Sequence, residues 1–355
     1  MNNEPFELDE LDELEGIESA ENEQYVHHSF VVDKGHSVLR IDKFLADRLA
    51  NISRSKIQEA ADADCILVNE QPVKSNYKVK PGDQINIVLP YPKREIEIIP
   101  QDIPLNIVYE DDYILIVNKS PGMVVHPSYG HYSDTLINAL TFHLQKLPLF
   151  ATGDTRPGLV HRIDKNTSGI IVIAKTEEAK NKLASHFFHH TIDRRYVALV
   201  WGSFEEETGT ITGHIGRHPK DRKIMFVFPD GEHGKHAITH YTVLERLGYV
   251  SLVECRLETG RTHQIRAHMK YIGHPLFNDT EYGGNEIIKG TTFTRYKQYV
   301  NNCFKMLPRQ ALHAKSLGLV HPATGEYMFF DSPIPDDMQA VIEKWRGYIA
   351  GRESE

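Results

Sequence analysis

The chain has 355 residues, 40% of them apolar and 25% charged, with a formal net charge of −9. This is the balance of an ordinary globular protein, long enough for one large domain and one small one. It holds no apolar run near the roughly 20 residues of a membrane span, and its acidic start does not read as a secretory signal. Cys65, Cys255 and Cys303 are too scattered for a disulfide framework or a zinc site, so a reducing, cytoplasmic setting is expected.

Residues 1–24 carry ten acidic side chains and no Lys or Arg, so the remainder of the chain is close to neutral. A block of like charge repels itself and reads as a disordered tail, either solubilising or a mimic of nucleic acid laid over a basic groove. A nucleic-acid partner is therefore compatible with the acidic total.

Residues 25–90 read as a small basic module. Ser37 is placed to cap a helix with Ile41, Phe44, Leu45 and Leu49 on one face, and Ser53 to start a second helix over 54–61. Ile66 to Val68 and Val73 flank a turn, and Pro81-Gly82-Asp83 leads into an alternating strand over 84–88. Arg40, Lys43, Arg48, Arg54, Lys56, Lys74, Lys78 and Lys80 crowd this stretch. Taken alone, such charge is most simply a solvated face.

Residues 91–103, with two prolines and mixed charge, read as a linker, and 104–350 as the larger, mixed α and β domain. Residues 113–117 and 170–174 are short apolar runs that suit buried strands, and 196–201 is a third. Thr176 is expected to cap a helix whose stripe is Ala179, Leu183, Ala184, Phe187 and Phe188. His186, His189 and His190 share a helical face but lack partners at metal-ligand spacing. No phosphate-binding glycine loop or dinucleotide turn is present, and Ser53-x-x-Lys56 lacks the companion motifs of an acylating serine.

Two stretches carry the chemistry. In 158–175, Asp164 follows Arg162 and precedes a turn that feeds a buried strand, which presents a loop side chain rigidly at the edge of a core. On composition alone it reads more simply as a loop-capping carboxylate. In 257–271, Gly260 permits a tight turn, Thr262 is expected to cap a helix with Ile265, Met269 and Ile272 inward, and Arg261 sits where free N–H groups favour phosphate.

The motifs HRIDKNTSGIIVIAK, RRYVALVWG and LETGRTHQIRAHM resemble, in order, the signatures of the RluA-type pseudouridine synthases. YILIVNKSPGMVVHP, GHPLFNDTEYG and RQALHAKSLGLVHP match further landmarks across 104–345. Residues 40–83 are similar to the ribosomal-protein-S-four-type RNA-binding domain, with Asp62 to Cys65 standing where that family often turns on glycine. The resemblance implies an α+β fold, with a mixed, mainly antiparallel central sheet flanked by helices behind a small alpha-L domain. It implies isomerisation of uridine to pseudouridine, most like members acting on large-subunit ribosomal RNA, with transfer RNA the alternative. Residues 285–307, longer than in the smallest members, bear on the choice of RNA.

The resemblance further implies that no cofactor or metal is needed, that RNA is the partner, and that the protein acts as a monomer. Asp164 becomes the essential carboxylate, Arg266 its ion-pair partner, and Tyr196 the ring against the uracil, with Ile265 beneath the base. Arg162 fills the gap left by the extruded base, Arg261 holds flanking phosphate, and Arg40, Lys43, Arg54 and Lys56 meet phosphates from the module. His161 and His263 are expected to be structural. Two rival classes remain: an inactive RNA binder, which needs none of the second-domain residues, and a glycosidic hydrolase, which needs two carboxylates roughly 5–10 Å apart.

Overall fold

The computed structural model describes residues 25–35, 38–49, 54–89, 98–127, 131–151, 156–221 and 224–353. The acidic tail, Ser37 and Ser53 lie outside these, as does the side chain of Lys56. The chain divides into two compact units, Met1–Ile96 and Glu97–Glu355. Among the described residues no helix is long and apolar enough to cross a membrane.

In the first unit, β1 (Tyr25–Val31), β2 (Leu39–Arg40), α1 (Ile41–Ala46), α2 (Arg54–Asp62), β3 (Ile66–Val68), β4 (Gln71–Pro72), β5 (Lys78–Val79) and β6 (Gln84–Leu89) follow in order. One sheet runs β1-β6-β3-β4, and β2 pairs with β5. Ile41, Phe44, Leu45, Leu49 and Ile57 bury one face of the helices against Ile66, Val68, Ile85 and Ile87. Asn69 and Glu70 turn β3 into β4 with positive φ, and Asp64, in the departure from glycine, takes φ +56°. β1 carries no clean alternation, which hides it in the sequence.

The second unit holds β7 (Ile107–Glu110), β8 (Ile114–Lys119), α3 (Leu136–His143), α4 (Pro148–Ala151), β9 (Ser168–Ala174), α5 (Glu177–Phe188), β10 (Asp193–Trp201) and β11 (Thr208–Arg217). It continues through β12 (Met225–Phe228), β13 (Lys235–Leu247), β14 (Val250–Leu257), α6 (Gln264–Tyr271), α7 (Thr294–Met306), β15 (Leu312–Val320), β16 (Tyr327–Asp331) and α8 (Asp336–Glu353). The strands form one sheet in the order β12-β11-β13-β14-β10-β15-β9-β8-β7, with β16 beside β15. Its pairings are antiparallel except β9 with β15, so the sheet is mixed and mainly antiparallel, as the motifs imply.

Alternation assigns each strand's side chains to two packed layers. Ile171 and Ile173 of β9 and Tyr196, Ala198 and Val200 of β10 join α3, α4 and α6 on one face. Ile170 and Val172 meet α5 on the other, where Val197, Leu199 and Trp201 meet α7 and α8. Strands covered on both faces read as unbroken apolar runs, which is why 113–117 and 170–174 were legible. Thr176 caps α5 by accepting from Ala179 N (3.1 Å). Phe188, placed in the inward stripe by spacing, is 64% exposed, because one residue beyond Phe187 turns about 100° round the helix. Residues 98–103, read as the end of a linker, are instead fastened to the second unit: Asn138 Nδ2 donates to Ile99 O (2.8 Å) and Gln101 N to Asn138 O (3.1 Å).

Candidate active site

The loop between residues 161 and 167 is held from several sides. His161 Nε2 accepts from Val172 N (3.0 Å), and its ring stacks on Phe187 at 4.5 Å. Burial pushes the His161 imidazole down to about 3, with Arg194 adding to the effect, so it is a neutral structural group. Lys119, 1% exposed, donates to the carbonyls of Ser120 (2.9 Å), Met123 (2.8 Å) and Lys165 (3.0 Å). Burial lowers its ammonium to about 7, against the pull of the Asp164 charge. Arg309 Nη1 donates to Asn166 O (3.1 Å), and Ser168 Oγ pairs with His313 Nδ1 at 3.0 Å.

This clasp presents Asp164, whose Oδ2 accepts from Arg266 Nη1 at 3.3 Å. The other oxygen lies 3.9 Å from His263 Nε2. Burial would push the Asp164 carboxyl up, but positive charge on His263, Arg266 and Arg162 outweighs it and holds the group below the usual carboxylate range. Burial pushes His263 itself down, so near neutral pH the guanidiniums carry that effect. Asp164 is thus ionised at neutral pH. Tyr196, in register with Cys255 and Ala314, is buried in the same layer. Burial and the Asp164 charge raise its phenol, against the pull of Arg194, so it is neutral and suited to packing against a ring. Ile265 is buried in that layer too.

Arg266 itself is gripped from behind, by residues to which the sequence analysis gave no role. Nε donates to Asp279 Oδ2 (2.7 Å) and Nη2 to Asp279 Oδ1 (2.8 Å), while Nη2 also meets Glu281 Oε2 at 2.5 Å. Asp279 is fully buried. The Arg266 guanidinium lies 4.7 Å from the ring centre of Tyr282, whose hydroxyl pairs with His263 Nδ1 at 3.0 Å and accepts from Met225 N at 2.8 Å. These groups sit in the segment 273–283 that the motifs had already marked, but nothing in its spacing says that Asp279 reaches Arg266. Asp279 commits both oxygens to one edge of the guanidinium, so it is held as an ionised partner of Arg266 and does not serve as the protonated acid that glycosidic hydrolysis requires.

Other expectations fare unevenly. Thr262 is not the cap of α6. His263 occupies that position at φ +51°, and the Gln264 side chain accepts from Arg261 N (2.9 Å) and Thr259 Oγ1 (2.8 Å) instead. Arg261 Nε donates to His236 O (3.0 Å), and Arg162 lies exposed on the Asp164 loop. In the first unit, Arg40 and Arg54 converge on buried Asp42 (Arg40 Nη2 at 3.0 Å, Arg54 Nη2 at 2.8 Å), and exposed Lys43 caps the same carboxylate through its backbone N–H (2.8 Å). Burial would raise Asp42, but hydrogen bonds from Arg54, Gln58 and Arg40 draw it far below the usual range. His189 closes α5 through Ser185 O (2.8 Å), and among the described residues no group of three His, Cys, Asp or Glu is placed to hold a metal.

Comparison with known proteins agrees with this geometry. Residues 113–271 match the RNA pseudouridylate synthase family and residues 39–85 the S4 domain. A Chlorobaculum parvum protein named as an uncharacterized RNA pseudouridine synthase is 44% identical over 325 residues, 91% of this chain and 99% of its own. The ribosomal large subunit pseudouridine synthase D of Zymomonas mobilis is 41% identical over 308 residues, 86% of this chain and 93% of its own. Human RNA pseudouridylate synthase domain containing 4 shares the fold, with a TM-score of 0.51 at 21% identity over 68% of this chain and 93% of that one. The chain therefore belongs to the RNA pseudouridylate synthase family, as a uridine isomerase preceded by an S4 domain.

Proposed function

We propose that this synthase modifies uridine in large-subunit ribosomal RNA, with Asp164 as the reacting carboxylate. The observation that carries the assignment is the 3.3 Å contact between Arg266 Nη1 and Asp164 Oδ2, which orients an ionised carboxylate without enclosing it. The choice of RNA rests on the relatives named ribosomal large subunit pseudouridine synthase D, at about 40% identity over most of the chain.

In the isomerisation the bond from the sugar carbon to the ring nitrogen breaks, the uracil turns, and the sugar carbon bonds to ring carbon five. That carbon then loses its hydrogen and the freed nitrogen gains one, so nothing is oxidised. Asp164 acts at the sugar, Tyr196 packs against the uracil, and Ile265 lies beneath it. A paired uridine must be turned out at a cost of a few kcal/mol, and exposed Arg162 takes its place in the stack. Arg261 serves flanking phosphate. In the S4 domain Arg40, Lys43, Arg54 and Lys56 give affinity with little sequence information. The enzyme works as a monomer in the cytoplasm.

Asp164→Asn should lower tritium release from a large-subunit ribosomal RNA transcript labelled at uracil carbon five by at least about a thousandfold. Affinity for the transcript should stay within a few-fold. Release at the wild-type rate would refute the role of Asp164, and release by the wild type from transfer RNA alone would overturn the choice of substrate.

A further inference from the structure

The sheet ends at β12, and the two faces of that end differ. Inward, Ile215, Met225, Val227 and Ala237 pack with Ala267 of α6 and with Tyr282. Outward, Phe226 is 43% exposed and Phe228 partly so. Leaving a large ring in water forgoes burial, so a run of such rings on one face points to a partner.

The rings are continuous. Phe226 and Phe228 lie 5.2 Å apart, centre to centre, with His218 at 5.2 Å from Phe226 and His233 at 5.5 Å from Phe228. Gly216, opposite Phe226 in register, makes the room, because a Cβ there would fall 3.2 Å from the Phe228 ring. Register then carries the same face inward along the sheet, from Phe228 to His214 and His236 and, two rows on past Thr212 and Ile238, to His240 and Arg256. Glu258 meets His240 at 2.6 Å and Glu254 meets Arg195 at 3.0 Å, but Arg256 is exposed and has no ion-pair partner among the described residues.

Aromatic rings interleaved with imidazoles, beside an unpaired guanidinium, suit stacked bases on a phosphate backbone better than they suit the apolar core of a protein interface. The candidate site lies on the opposite, inward face of the same sheet end, with α6 and Tyr282. Met225, between the outward rings and the buried layer, donates its backbone N–H to Tyr282, which pairs with His263 beside Asp164. RNA reaching from the site to the rings would pass round the β12 end of the sheet.

We propose that the outward face of β12, β11, β13 and β14 is a platform for single-stranded RNA flanking the target uridine. Phe226 and Phe228 stack on bases, and Arg256 holds a phosphate. This rests on the reading of the chain as an enzyme acting on RNA.

The test uses full-length protein and a uridine-rich single-stranded RNA of 20 nucleotides, with a 20-base-pair RNA duplex as the reference. Phe226→Ala should weaken single-strand binding about tenfold, leave duplex binding within twofold, and raise KM on the tritiated transcript with kcat unchanged. Phe226→Trp should restore the affinity, which separates loss of the ring from loss of the fold. Single-strand binding by Phe226→Ala at wild-type strength would overturn the platform. So would a loss seen only with whole ribosomal particles, which would make the partner a protein. Failure of the wild type to release tritium from any RNA would sink the catalytic reading while leaving the binding comparison intact.

Discussion

At the scale of single residues, the site depends on how one guanidinium is divided. Arg266 commits Nε and Nη2 to Asp279 and leaves Nη1 for Asp164. A fork free to turn would take the Asp164 carboxylate in both arms, as guanidinium and carboxylate prefer, and would blunt it. Asp279→Asn keeps the shape but sets an amide N–H against an N–H. Single-turnover tritium release should fall about 10- to 100-fold with RNA affinity within twofold. The melting temperature should drop too, because breaking a buried pair costs about 3–5 kcal/mol. An unchanged rate would mean that Arg266 needs no such support. Asp164 and Arg266 were legible because each sits in a motif of several residues. Asp279 was not, since which carboxylate meets a guanidinium is decided by how the segment after α6 folds back, and no spacing records that.

At the scale of elements, the candidate site is a loop stapled to a strand that comes much later in the chain. β9 runs parallel to β15 at Ser168 and Gly169, where Gly169 has φ +119° and a Cβ would stand 2.2 Å from Ala314 O. Gly169→Ala should therefore cost about 3 kcal/mol or more, roughly 10 °C in melting temperature for a unit of this size. Gly122→Ala, at φ +86° with open space around it, should cost only about 1 kcal/mol. Thermal melts of the two variants separate collision from backbone strain, and equal losses would show that the strand contact is slack. The apolar strands and α5 could be read from periodicity, since burial on both faces leaves a plain signature. β1 could not, being partly exposed at the edge of its sheet. Nor could the start of α6, where His263 takes the capping position in a left-handed conformation without a side-chain cap, and Gln264 ties back to the turn before it.

At the scale of the whole molecule, acid sensitivity of the second unit should come from histidine. Burial, aided by Arg194, pushes His161 to about 3, burial pushes His268 to about 4, and burial with Lys315 and Arg309 pushes His313 to about 4. These rings stay neutral in the fold while the unfolded chain takes protons near 6.5, so their stability is complete above that pH and is lost as pH falls toward 4. The loss is about 1.4 kcal/mol per group per pH unit. Asp164 and Asp111, held below their ordinary range, keep their share until pH falls below about 4. The urea midpoint should therefore decline between pH 7.5 and 5.5, and a flat midpoint would contradict the burial of these rings. The order of motifs made the two-unit plan readable. The positions of these histidines inside the layers were not readable, because a motif names a residue without saying which nitrogen meets which backbone.

The parallel pairing of β9 with β15 has a consequence for synthesis. The loop that carries Asp164 is fastened by Arg309 and His313, which leave the translating ribosome some 140 residues after it. A nascent chain thus carries Asp164 through roughly 150 residues of further elongation without the strand that fastens its loop, and the loop is set only once β15 has emerged.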